Sequence, residues 1–119
     1  MTCTLTTAAV VVLLSLATAS TGTAADAGKL CAKFSQNRIT YQSQTVGSSW
    51  SCAAAKSWIM KLSLDRVPKS FTKNLPLTNG PRGYHCFAEP GSRRGHATSG
   101  VCVKGTIAFP RSGFAWYSV

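Results

Sequence analysis

Acidic side chains are almost missing from this chain. Its 119 residues hold three Asp and Glu against thirteen Lys and Arg, a formal charge of +10. Internal repeats and low-complexity tracts are also missing, so a repeat architecture is excluded and one domain is expected. No two of the five cysteines form a C-x-x-C pair, which argues against a zinc site. No serine-nucleophile motif and no phosphate loop is present. The apolar run at residues 8–17 is too short to cross a bilayer, which takes about 20 apolar residues.

What is present begins with that run. Ala-Ala-Val-Val-Val-Leu-Leu-Ser-Leu-Ala is followed by small residues and by two A-x-A-like exits near Ala25. Residues 1–25 are therefore expected to be a signal peptide, although no Lys or Arg precedes the apolar core. Lys29, two places before Cys31, does not suit a lipid-attachment site. Cys3 belongs to the export segment, leaving Cys31, Cys52, Cys86 and Cys102. An even number of cysteines in a short exported chain predicts two disulfides, each adding about 2–4 kcal/mol to a domain with a small core. Three pairings are possible. The preferred one joins Cys52 to Cys86 and Cys31 to Cys102, tying the helix start to the following strand and the amino-terminal segment to the sheet.

The stretch Ser49–Leu64 is expected to organise the domain. At about 100° per residue, Cys52, Ala55, Trp58, Ile59 and Leu62 share one stripe, while Lys56, Ser57 and Lys61 lie outside it. Ser49 or Ser51 can cap this helix, and Pro68 stops it. Trp58 is expected in the core, and Trp50 as a staple or a surface aromatic.

Residues 26–37 read as an extended arm and 38–119 as the domain. Residues 38–46 alternate as a strand, with Ile39 and Tyr41 on one face. Residues 65–83, with three prolines and the Asn79-Gly80-Pro81 turn signal, read as a connector. Strands are expected at 84–88, 101–104, 106–109 and 114–118, with a turn at Pro110–Gly113. The resulting class is α+β, one amphipathic helix on an antiparallel sheet of three to five strands.

Four segments stand out together: Ser51-Cys52-Ala53-Ala54-Ala55-Lys56, Gly83-Tyr84-His85-Cys86, Val101-Cys102-Val103-Lys104-Gly105 and Ile107-Ala108-Phe109. Over about residues 49–110 this set resembles small exported proteins of high-GC Gram-positive bacteria, a loose group mostly without assigned function. That group carries Ser-Cys-Ala-x-Ala on a helix, Gly-aromatic-x-Cys on a strand and a final cysteine strand. The resemblance implies a helix-on-sheet fold and an extracellular or cell-wall location. It supplies no catalytic residue, and the Cys31 arm and the tail after Gly113 lie outside it.

Function is sought in the charge. The loop Glu89–Gly100 holds Arg93, Arg94 and His96, with Arg82 and Lys104 on neighbouring segments. Guanidinium groups bind phosphate and carboxylate bidentately, and exposed glycine amides assist. The expected function is a secreted, non-catalytic basic module that binds a polyanion, an acidic protein or the anionic cell envelope. Solvated charge is the plainer account of the same residues. A ribonuclease-like hydrolase would use Glu89 as base, His85 or His96 as acid and arginine on the phosphate, provided they converge. An inhibitor or effector would act through loop 89–100, pre-organised by disulfides. The aromatic tail Phe109–Val119 offers either stacking or packing, with packing preferred. No metal or cofactor is expected, and the membrane is expected to be met only during export.

Overall fold

A computed structural model describes residues 28–119. The expected signal peptide, with Cys3, lies outside the described residues, as do Asp26 and Ala27. The elements in order are β1 (Lys29–Leu30), β2 (Phe34–Gln36), β3 (Ile39–Val46), α1 (Cys52–Leu62), β4 (Leu75–Leu77), β5 (His85–Ala88), β6 (Gly100–Gly105) and β7 (Pro110–Ser118). The class is α+β. The sheet has seven strands, however, more than the three to five expected, in the order β1-β3-β7-β6-β5-β4 with β2 also on β3. Every pairing is antiparallel. Among the described residues no helix is long and apolar enough to cross a membrane.

Two of the extra strands come from the arm. β1 and β2 lie end to end along the outer edge of β3, opposite Gln44–Thr45 and Ile39–Tyr41 respectively. Between them, the Cys31 amide still donates to the Ser43 carbonyl (2.9 Å). The Gln42 side-chain amide donates to the Cys31 carbonyl (2.6 Å), supplying a partner where the ladder is interrupted. Asn37 and Arg38, both at positive φ, turn β2 into β3 as a two-residue hairpin. The arm is thus part of the sheet. β4 comes from the proline-rich connector and pairs with β5.

The helix forms where the apolar spacing predicts it. Ser51 is the cap: its Oγ accepts from the Ala54 amide (3.0 Å). Ala55, Ile59 and Leu62 are buried and pack with Tyr41, Cys86, Cys102, Phe114 and Trp116. Trp58 is only half-buried against this cluster, with the Lys61 ammonium 4.7 Å from its ring centroid. Trp50 packs edge-on against Phe114 and Tyr84. At the other end of α1, the carbonyls of Ile59, Met60, Lys61 and Leu62 accept from Ser63 N, Gln36 Nε2, Leu64 N and Asp65 N. The helix C-terminus is therefore closed by internal donors.

Register decides the disulfides, and it overturns the preferred pairing. Cys86 stands directly opposite Cys102 across β5 and β6, and these two are bonded. Cys31 lies on the helix side of the sheet edge and bonds Cys52 at the start of α1, with Cα atoms 5.6 Å apart. Both bridges are local in sequence, spanning 21 and 16 residues.

The last hairpin is displaced from the expected position. Residues 106–109 form the turn, and Pro110–Gly113 belong to β7. The tail divides accordingly: Phe114 and Trp116 are buried, whereas Phe109 and Tyr117 are exposed.

Candidate anion site

The loop after β5 is held tightly. Ser92 Oγ donates to the Ser99 carbonyl and accepts from the Ser99 amide, and the Arg93 amide donates to Thr98 Oγ1 (2.7 Å). From the core, Trp116 Nε1 donates to the Ala97 carbonyl (2.9 Å). Arg94 and Gly95 both take positive φ, and His96 N donates to the Arg93 carbonyl (3.1 Å), which makes a tight turn at the loop tip.

Beyond the turn, the loop pairs with the segment that leaves α1. Arg66 and His96 form an antiparallel bridge. Val67 N donates to the Gly95 carbonyl and Ala97 N to the Asp65 carbonyl, each at 2.9 Å. Residues thirty apart in sequence therefore lie side by side. Lys69 also comes close, since a Cβ built on Gly95 would stand 3.8 Å from its Cγ. This end of the molecule thus gathers Arg66, Lys69, Arg93, Arg94 and His96. Sequence reasoning found the last three and missed Arg66 and Lys69, because nothing local signals a bridge across thirty residues.

A cleft of about 200 Å³ opens beside this cluster, lined by Asn37, Ile39, Tyr41, Ser63, Leu64, Arg94, His96 and Thr98. Its polar lining is rich in donors. Ser63 Oγ accepts from Gln36 Nε2 (3.1 Å) and bonds Tyr41, whereas Thr98 Oγ1 accepts from the Arg93 amide and keeps its hydrogen to donate. Burial pushes the Tyr41 phenol up, outweighing the opposing effect of its hydrogen bond with Ser63, so it too remains a donor at neutral pH. No carboxylate lines the cleft. Asp65 accepts from Asn79 Nδ2 (3.3 and 3.4 Å), and Glu89 from Ser99 Oγ (3.4 Å). The cleft falls below the about 300–1,000 Å³ of sites that enclose a small molecule.

The remaining expected residues lie elsewhere. Lys104 stands near the far end of β6, about 13 Å of strand from Gly100. Its ammonium sits 5.2 Å from the Tyr84 ring centroid, with the turn carrying Arg82 next to it. There, Trp50 Nε1 donates to Tyr84 Oη (3.0 Å), and Ser112 Oγ bonds both Tyr84 Oη (2.7 Å) and Ser49 Oγ (2.9 Å). Burial alone would raise the Tyr84 phenol. The hydrogen bonds from Ser112, Trp50 and Ser49, with the Lys104 charge, outweigh it and hold the phenol below its usual value. The five expected anion-binding residues therefore fall into two groups at opposite ends of β6.

His85 opens β5 opposite Val103, exposed on the sheet face away from α1. Glu89 follows the last residue of β5, about 13 Å of strand away. His96 lines the cleft beside Tyr41, on the helix side. The structure does not bring His85 together with Glu89 and His96. Among the described residues no three His, Cys, Asp or Glu side chains gather as metal ligands would. No family model, no curated protein and no solved structure matches this chain.

Proposed function

We propose that this protein is an exported, disulfide-braced basic module that binds an anionic partner, a polyanion of the cell envelope or an acidic protein surface, without acting on it chemically. The observation that carries this reading is the bridge between residues 65–67 and 95–97. It brings Arg66, with Lys69 near Gly95, to the loop that carries Arg93, Arg94 and His96, the last two of which line the cleft. Arginine forks suit phosphate, sulfate and carboxylate groups. The two disulfides fit an oxidising, extracellular setting. The likeness to small exported Gram-positive proteins agrees with that setting.

Retention on immobilised heparin tests the reading. Elution should require salt, with log affinity falling linearly against log salt. Replacing Arg66, Arg93 and Arg94 by alanine should lower that slope by roughly three. The charge-matched change of Lys29, Lys33 and Lys73 to alanine should lower it much less. Equal losses in the two variants would mean that total charge, not this site, holds the polymer.

The inhibitor or effector reading keeps the same loop and changes the partner to a protein. The bonds among Ser92, Arg93, Thr98 and Ser99 favour it, because a loop already ordered loses little entropy on binding. The hydrolase reading is not favoured with His85 as acid, since His85 stands about 13 Å of strand from Glu89 and faces away from the cleft that His96 lines.

A further inference from the structure

The end of the molecule opposite the cleft carries a different kind of surface. β3 stops at Val46, opposite Gly113, and β5 begins at His85, opposite Val103. The β6–β7 hairpin continues past both through Lys104–Gly105 and Pro110–Ser112, closed by residues 106–109. Its turn is ordered: Gly105 takes φ +91°, and the Phe109 amide donates to Thr106 Oγ1 (3.0 Å). Yet its large side chains face solvent, with Phe109 83% and Ile107 45% exposed.

Cations ring the base of this apolar tip. Lys104 and Arg111, both exposed, flank it on the two strands. Arg82 sits on the turn beside Lys104, since a Cβ built on Gly83 would lie 3.7 Å from Lys104 Cε. Neither described acid lies on the hairpin: Asp65 follows the C-terminus of α1, bonded by Asn79, and Glu89 follows the far end of β5. An ordered turn that displays Phe and Ile at its crest and positive charge at its foot matches a lipid interface. There the apolar side chains enter the acyl boundary while the cations meet anionic headgroups.

We propose that the 105–110 turn docks this protein on an anionic lipid bilayer, with Phe109 and Ile107 inserted and Lys104, Arg111 and Arg82 at headgroup level. This surface is separate from the cleft, so it does not rest on the polyanion reading.

The test is sedimentation at physiological salt with phosphatidylcholine vesicles, with and without phosphatidylglycerol. The protein should bind only the anionic vesicles. The double variant Ile107→Ser, Phe109→Ser should bind them at least ~10-fold more weakly while keeping its thermal midpoint and heparin retention. In a Phe109→Trp variant, the emission added to that of Trp50, Trp58 and Trp116 should shift blue on binding and be quenched by brominated acyl chains. Three results would overturn the proposal: no binding of the parent protein, equal binding by the double variant, or unshifted added emission on bound vesicles. Self-association abolished by the double variant, with no vesicle binding, would reassign the tip to a second copy of the chain.

Discussion

Arg94 shows a conflict between backbone and side chain. Its φ of +59° belongs to a region where glycine sits freely and a Cβ costs about 1–2 kcal/mol. Gly95 follows it in the same region, so Gly-Gly would make this turn more easily. Arg38 takes the same conformation to close the β2–β3 hairpin, whereas at Arg94 it sets a guanidinium at the cleft rim. Arg94→Gly should accordingly leave the protein as stable or raise its stability by up to ~1 kcal/mol, while weakening heparin retention. Urea midpoints and salt elution read the two effects separately. A clear loss of stability would mean that the Arg94 side chain supports the fold rather than a ligand. The sequence showed Arg93, Arg94 and His96 as candidates because they are consecutive in a loop. It did not show the left-handed turn that aims them, and Arg66 entered the cluster only through long-range pairing.

Elements set by local chemistry were legible, and those set by pairing were not. The helix was readable because apolar spacing and the Ser51 cap agree in one stretch, and it ends at Leu62, before Pro68 could bear on it. Loss of that cap has a definite cost. Ser51→Ala strands the Ala54 amide and should lower stability by about 1 kcal/mol, seen as a lower thermal midpoint with an unchanged far-UV spectrum in the folded state. A fall of less than a few tenths would show that water serves the amide equally well. The β6–β7 hairpin misled for physical reasons. Thr-Ile-Ala-Phe has the composition of a strand, and Pro-Arg-Ser-Gly that of a turn. In the structure, Gly105 and Thr106 make the turn, while Gly113 is needed inside β7 because a Cβ there would collide with the Cys102 carbonyl. That glycine reports a close approach of strands, which composition cannot separate from a bend. The edge strands β1 and β2 were hidden by their shortness and by the interruption at residues 31–33.

Across the whole molecule, seven of the thirteen Lys and Arg gather at two ends joined by β6 and α1, Arg66, Lys69, Arg93 and Arg94 at one and Arg82, Lys104 and Arg111 at the other. One end combines arginines with hydroxyl donors around a cleft, and the other combines lysine and arginine with exposed Phe109 and Ile107. Composition reported the total of +10 and could not report this division. Nor could it report which sulfurs meet. Cys31–Cys52 closes a loop in the first half of the chain and Cys86–Cys102 one in the second, and residues 63–85 run between them under no covalent brace. The halves are held together across the β3–β7 seam and by the core, through contacts that denaturant can undo. A specific protease site placed between Pro68 and Asn74 should therefore yield, once cut, two peptides that part on a denaturing gel without any reductant. The crossed pairing of Cys52 with Cys86 would instead keep one band until the sulfurs were reduced. A single severed loop would turn this protein into a two-piece complex, able to be taken apart and reassembled with all four of those cysteines still oxidised.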